Sequence, residues 1–121
     1  MSMSELVERL EAAGIPIDDL TKSAMIDIDP GHFTDYDLEV FWHDRPIPFL
    51  FTGFGATRTI SAPHMIATLL HHLEINEGQD IMLIGSKGGY LAAIIDRMVG
   101  EEGTVTIVEP HEEVRFHTED R

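Results

Sequence analysis

The fold is decided by residues 80–90, DIMLIGSKGGY. The apolar first half of this stretch is typical of a buried strand, and the glycines that follow turn the chain into a helix predicted over Tyr90–Val99. A turn at residues 100–103 leads to a second apolar strand at residues 104–109. Because two strands joined by a helix pair in parallel, the sequence predicts an α/β fold. In such folds, a glycine turn between strand and helix is where an anionic or nucleoside-containing cofactor binds.

The first 60 residues predict a segment of helices and short strands. Apolar residues at helical spacing predict an amphipathic helix at residues 4–13, and Pro16 opens a second helix that runs to about Ile26. Residues 38–42 and Ile47–Phe51 have the pattern of short β-segments, which we expect to form a hairpin. We expect one truncated domain over residues 1–121, with a helical and hairpin segment at 1–60 and the start of the sheet at 61–121.

Residues 59–65, TISAPHM, place a serine at the start of a further helix. An extended segment ends at Ser61, and Pro63 is tolerated in the first helical turn because its missing N–H is not needed there. Two roles for the Ser61 hydroxyl remain open. It caps the helix by accepting a hydrogen bond from a free backbone N–H, or it binds an anion together with the helix N-terminus.

These two stretches resemble the protein-L-isoaspartate O-methyltransferases. The family pattern combines a Thr-Ile-Ser-x-Pro segment with a glycine motif, V-L-E-I-G-x-G-x-G-Y, and an acidic residue that closes the next strand. Gly85, Gly89 and Tyr90 match the glycine motif. Glu109 stands 24 positions after Gly85, at the place of the acidic residue.

The resemblance implies a Rossmann-like fold that methylates the isoaspartyl carboxylate of damaged proteins, with S-adenosylmethionine as the methyl donor. The sheet is expected to be incomplete, because only the first β-α-β unit can be read from the sequence. Ser61 is the implied catalytic residue, which would orient the carboxylate. The implied cofactor-binding residues are Gly85, Ser86, Gly89, Tyr90 and Glu109, and the implied substrate-binding residues are Thr59, Ile60, Ser61 and His64.

Two residues depart from the family motif. Leu83 replaces an acidic residue, which removes a hydrogen-bond acceptor from the end of the strand. Lys87 replaces the middle glycine and places a cationic side chain where the backbone passes close to a positively charged cofactor. Two hypotheses therefore remain: an isoaspartyl methyltransferase or its N-terminal portion, and a catalytically silent binding or assembly module derived from that family.

Charge and composition exclude several classes of protein. Lys and Arg number 8 against 22 Asp and Glu, and the formal net charge of −14 would repel the phosphate backbone of a nucleic acid. No apolar run approaches the roughly 18 residues that span a bilayer, and the N-terminus lacks the pattern of a secretory signal. Because the chain has no cysteine, we expect no disulfides and a cytoplasmic location.

The sequence does not predict a metal site. None of the seven histidines forms a pair at the i, i+4 spacing that zinc-binding helices use. The acidic segment that begins at Asp27 does not match a calcium loop, because Leu38 falls where a bidentate Glu is needed.

The short sheet leads to two expectations about behaviour. The chain alone should not methylate isoaspartyl peptides, because later strands normally supply part of the walls of the site. It should also form a homo-oligomer, because two parallel strands leave unpaired sheet edges.

Overall fold

A computed structural model of the protein describes residues 1–53 and 55–120. The helices are α1 (Met3–Ala12), α2 (Asp19–Asp27), α3 (Glu39–Trp42), α4 (Pro63–Leu73), α5 (Tyr90–Val99) and α6 (Glu112–Glu119), and 3₁₀ turns cover Pro30–His32 and Lys87–Gly89. The strands are β1 (Ile47–Phe51), β2 (Thr57–Ile60), β3 (Asp80–Ile84) and β4 (Thr104–Val108).

Strands β3 and β4 pair in parallel, as the sequence predicts, and α5 is the crossover between them. Their register places Ile84 opposite Val108. Ile81 and Leu83 pack against the hydrophobic core, whereas the alternate residues Met82 and Ile84 are 64% and 82% exposed. The prediction of an α/β fold is confirmed: this is the first β-α-β unit of an incomplete Rossmann-like sheet, with one face of β3 open.

The predicted hairpin is wrong in its first strand. Residues 38–42 contain the helical turn α3 instead, and the Asp37 carboxylate begins this turn by accepting a hydrogen bond from the Glu39 N–H at 2.7 Å. The turn buries Phe41 completely and sets its ring edge-on to the ring of Tyr90 at 5.8 Å. A short apolar run does not by itself distinguish a strand from a buried helical turn, and here the packing of Phe41 decides between them. The hairpin is formed by β1 and β2, which pair antiparallel.

The second helix begins later than predicted. Pro16 precedes it, and α2 begins at Asp19 because Asp18 Oδ1 accepts a hydrogen bond from the Thr21 N–H at 2.8 Å. This is an N-cap, which satisfies one of the free N–H groups of the first turn and so sets the start of the helix after Asp18.

A single hydrophobic core joins the N-terminal helices to the sheet unit. Helix α2 packs against both α1 and α5, and β2 and α6 both pack against the 3₁₀ turn that follows β3. The large side chains that are fully buried include Leu6, Met25, Phe41, Leu70, Tyr90 and Ile95. This packing brings the β1–β2 hairpin and the start of α4 beside the carboxyl ends of the parallel strands.

Candidate cofactor and substrate site

The loop after β3 lies close against its surroundings. Gly85 continues the strand ladder by donating to the Val108 carbonyl at 2.7 Å and then turns with φ 92°, a left-handed conformation that glycine adopts without strain. Gly88 has φ 78°, and a Cβ atom there would lie 3.1 Å from the ring of Phe49. The backbone of the loop therefore packs directly on β1, and few side chains would be tolerated at Gly88.

Glu109, the first residue after β4, ties this loop to the sheet. Its Oε1 accepts hydrogen bonds from the Ser86 N–H at 2.8 Å and the Ser86 hydroxyl at 3.0 Å, and its Oε2 accepts from the His111 N–H at 2.9 Å. Burial disfavours the carboxylate, but the donors of His111 and Ser86 outweigh it, and nearby Arg58 adds to them, so the pKa of Glu109 lies below its ordinary value. Glu109 is therefore a fixed anion at the carboxyl end of the strand.

A third residue, Thr118, extends this network into α6. Thr118 Oγ1 lies 2.8 Å from Ser86 Oγ, and the Ser86 side chain is only 1% exposed. Sequence reasoning missed Thr118, because a threonine in a polar helix carries no pattern that indicates a contact 32 residues away.

The larger of two neighbouring cavities lies beside the loop at the carboxyl ends of the strands, where α/β folds bind ligands. Its volume is about 330 Å³. Glu109 and Arg58 contribute opposite charges to its wall. The other lining residues are Phe49, Thr57, Thr59, Ile84, Gly85, Lys87, Pro110 and Val114.

The smaller cavity, of about 170 Å³, contains Ser61. Apart from Ser61 and Lys87, its wall is made of apolar residues and Tyr90: Ile60, Met65, Ile66, Leu69, Tyr90 and Leu91. Lys87 lines both cavities and is therefore the residue they share. The structure thus brings the two sequence stretches to adjacent walls, one carrying the serine and the other the glycine loop.

Of the two roles left open for the Ser61 hydroxyl, the structure does not show the cap of α4. Ala62 occupies the N-cap position without a side-chain hydrogen bond, and the free N–H of His64 donates instead to Asp44 Oδ1 at 2.7 Å. Asp44 lies in the loop before β1, where local sequence gave no signal of this contact. Within residues 1–53 and 55–120, the Ser61 hydroxyl forms no hydrogen bond, which leaves it available to a ligand.

The remaining predicted substrate residues divide between the two cavities and the surface. Thr59 lines the larger cavity and Ile60 the smaller one. His64 lines neither: its side chain is exposed, and its Nδ1 lies 2.9 Å from Asp44 Oδ2. His64 therefore joins the start of α4 to the loop before β1.

Tyr90 packs in the core rather than presenting a reactive hydroxyl. The residue is fully buried, its ring meets the rings of Phe33 and Phe41, and in the described part of the chain its hydroxyl has no hydrogen-bond partner. Burial, assisted by Asp29, raises the pKa of Tyr90 far above its ordinary value. The side chain therefore stays neutral and does not act as a base.

The described residues contain no group of three or more His, Cys, Asp or Glu side chains placed to hold a metal ion. His71 and His72 come close to each other beside Asp18 and Glu74, around a separate cavity. This arrangement lies on the far end of α4 from Ser61.

The family model of protein-L-isoaspartate(D-aspartate) O-methyltransferases matches residues 1–121. The chain belongs to this family. A relative from Methanosarcina mazei, named protein-L-isoaspartate O-methyltransferase, is 36% identical over 105 residues, which cover 86% of this chain and 40% of the relative. The chain spans less than half the length of the curated relatives that it matches.

Two solved structures of methyltransferases in this family share the fold. One, described as a protein-L-isoaspartate O-methyltransferase, has a TM-score of 0.84 and 25% identity, and the match covers 98% of this chain and 37% of that one. The other is a putative enzyme of the family from Plasmodium falciparum in complex with S-adenosyl-L-homocysteine. It has a TM-score of 0.81 and 25% identity, and the match covers 99% of this chain and 54% of that one.

The two departures from the isoaspartyl methyltransferase motif have different structural consequences. Leu83 faces the core, where it packs with the other apolar residues. Lys87, at the place of the middle glycine, has φ 46°, a left-handed conformation that costs a residue with a side chain about 1–2 kcal/mol. The loop thus keeps a glycine-like backbone shape at a lysine.

No helix in the described ranges, which omit residues 54 and 121, has the length and apolarity to cross a bilayer.

Proposed function

We propose that this chain forms the substrate wall and the first cofactor loop of an S-adenosylmethionine-dependent protein-L-isoaspartate O-methyltransferase, which methylates the isoaspartyl carboxylate of damaged proteins. The observation that carries this proposal is the meeting of two cavities at Lys87, with Ser61 in one and the Gly85–Glu109 wall in the other. Family membership over residues 1–121 supports it independently.

The cofactor would lie in the larger cavity, where the residues present fit it. A carboxylate offers about four lone-pair sites, and three hydrogen bonds occupy Glu109, so a site remains on Oε2 for a ribose hydroxyl. Gly85 allows the ligand to approach the backbone closely, and Ser86 and Tyr90 hold the loop in shape. When bound, S-adenosylmethionine supplies an electrophilic methyl group on a positively charged sulfur.

The substrate would lie in the smaller cavity. An isoaspartyl carboxylate is ionised near neutral pH, so the reaction needs no general base, and catalysis depends on alignment and on replacing water around the nucleophile. The Ser61 hydroxyl donates a hydrogen bond to one carboxylate oxygen and leaves the other free to attack the methyl group. Ile60, Met65 and Leu69 line the peptide side of the site with apolar groups, and because Met65 and Leu69 are exposed, a bound peptide would cover them and displace water there.

A silent binding or assembly module remains the second candidate. The loss of the motif acid at Leu83 and the cation at Lys87 favour it, since both weaken the case for cofactor binding. The open face with Met82 and Ile84 gives such a module a surface on which a second copy of the chain could pack. For both candidates we propose the same three features. The chain forms a homo-oligomer, it is located in the cytoplasm, and residues 1–60 and 61–121 together build a single domain.

Calorimetric titration with S-adenosylhomocysteine separates the two candidates. The methyltransferase proposal expects saturable binding that Glu109→Ala abolishes and that Glu112→Ala, an exposed neighbour, leaves within about two-fold. In the same way, Ser61→Ala should weaken binding of an isoaspartyl peptide, with Ser23→Ala on the exposed face of α2 as the matched control. A folded chain that binds neither ligand would overturn the methyltransferase proposal and leave the module.

A further inference from the structure

Lys87 stands between the two cavities with a free charge. It lines both cavities, its side chain is exposed, and it forms no ion pair with any residue in the described ranges 1–53 and 55–120. Lys87 does not pair with Glu109 either, because the cation that lowers the pKa of Glu109 is Arg58. The ammonium group of Lys87 is therefore not neutralised by Glu109, the one carboxylate that the described residues place in the wall of the larger cavity.

The charge of the whole chain makes this cation significant. With 22 acidic and 8 basic residues, the protein carries a formal charge of −14 and repels an approaching anion. The smaller cavity is otherwise uncharged, so Lys87 supplies its only formal charge among the described residues. A carboxylate that enters the cavity would meet one hydroxyl, from Ser61, and one ammonium group, from Lys87.

We propose that Lys87 is a substrate-binding residue that holds the methyl-accepting carboxylate together with Ser61. The inference rests on the proposed function, since it assigns the substrate carboxylate to the cavity that contains Ser61. The hydrogen bond from Ser61 orients the carboxylate. The positive charge of Lys87 attracts it, whereas the net negative charge of the rest of the surface repels it. Both hydrogen bonds would be charge-assisted, because the carboxylate is ionised, and the ammonium group of Lys87 adds the attraction between opposite charges that the hydroxyl of Ser61 lacks.

The same charge acts in the opposite direction on the cofactor. S-adenosylmethionine carries a positive sulfur, whereas S-adenosylhomocysteine carries a neutral one, so Lys87 should disfavour the first ligand relative to the second. Replacing Lys87 with a neutral residue is therefore expected to strengthen S-adenosylmethionine binding and weaken carboxylate binding. Simple damage to the loop would weaken both, which makes the opposite signs diagnostic.

The test uses a peptide with blocked ends whose only charge is one isoaspartyl carboxylate, and a matched peptide with a carboxamide at that position. Calorimetry measures both peptides and both cofactor forms against the parent chain, Lys87→Gln and Lys87→Arg. Lys22→Gln is the control, because it changes the net charge equally at a lysine that pairs with Glu11 instead.

We expect Lys87→Gln to weaken the isoaspartyl peptide about ten-fold, as the loss of a charged hydrogen bond predicts. Lys87→Arg and Lys22→Gln should stay within about two-fold of the parent, and carboxamide binding should not respond to Lys87→Gln. If Ser61→Ala weakens the isoaspartyl peptide and Lys87→Gln does not, the role of Lys87 is wrong and the proposed function stands. If the folded parent binds neither peptide nor cofactor, both proposals fail.

Discussion

Glu109→Gln tests the hydrogen-bond hub that fixes the cofactor loop. In the parent, Oε1 of Glu109 accepts two hydrogen bonds from Ser86, and Oε2 accepts one from the His111 N–H. Glutamine can keep the two bonds to Ser86 through its carbonyl oxygen. Its amide group then faces the N–H of His111, so two donors oppose each other and neither is satisfied.

The magnitude follows from that one mismatch. Leaving a partly buried donor without its charged acceptor costs about 1–3 kcal/mol, so we expect Glu109→Gln to lower the free energy of unfolding by about 2 kcal/mol. For a chain of this length, that loss lowers the melting temperature by about 6–10 °C. Glu112→Gln, three residues away in the first exposed turn of α6, should change it by less than about 2 °C, because only a weak helix-dipole interaction is lost.

The effect should depend on pH in a defined direction. The pKa of Glu109 is lower in the folded protein than in the unfolded chain, because the donors of His111 and Ser86 outweigh the effect of burial. Its contribution to stability is therefore fully present above the unfolded pKa of about 4.3 and is lost as the pH falls through the lower folded pKa. The difference between parent and Glu109→Gln should be constant above about pH 6 and should narrow below about pH 4.

Thermal and urea unfolding followed by circular dichroism, at several pH values, measure these differences. The reasoning about Glu109 is refuted if Glu109→Gln and Glu112→Gln unfold alike at pH 7. It is also refuted if the gap between parent and Glu109→Gln grows as the pH falls.

Four further predictions follow from the loop, the helix start and the open sheet. The free energy of unfolding of Lys87→Gly should be about 1 kcal/mol higher than that of Lys87→Ala, because alanine keeps a Cβ atom at φ 46° and glycine does not. Equal urea midpoints would contradict this. Asp44→Ala should lower stability by about 1–2 kcal/mol in thermal unfolding, because it removes both contacts with His64, whereas an unchanged melting temperature would show that they are dispensable. The chain should sediment as a dimer that strengthens with salt, as Met82 and Ile84 become covered and the like charges are screened, and a monomer at all concentrations would count against it. Radiolabelled methyl transfer to an isoaspartyl peptide should stay at the level of the no-enzyme blank, because the wall of the larger cavity is open to water at the exposed residue Ile84.

The sequence predicts the parts of this protein that depend on local pattern. Strand β3, the crossover helix α5 and strand β4 all follow from apolar runs and from glycine turns, and the structure confirms them. The same pattern places Glu109 at the end of β4, because the carboxyl ends of parallel strands meet at one edge of the sheet.

The parts that sequence misses depend on contacts between distant segments. The helical turn at Phe41 arises from packing against Tyr90, and the start of α4 is capped by Asp44 from another loop rather than by Ser61. The link from Thr118 to Ser86 joins two elements that no periodicity relates. A local pattern fixes which residues can form an element, whereas the tertiary partner decides which alternative forms.

The most direct test of the central claim is an amide NMR titration of the ¹⁵N-labelled chain, first with S-adenosylhomocysteine and then with the blocked isoaspartyl peptide. Our account predicts that the cofactor product shifts the amides of Gly85, Ser86 and Glu109, and that the peptide shifts those of Ser61 and its neighbours on the smaller cavity. Absence of any shift, or shifts centred on the separate cavity at His71, would contradict the assignment of the two cavities to cofactor and substrate.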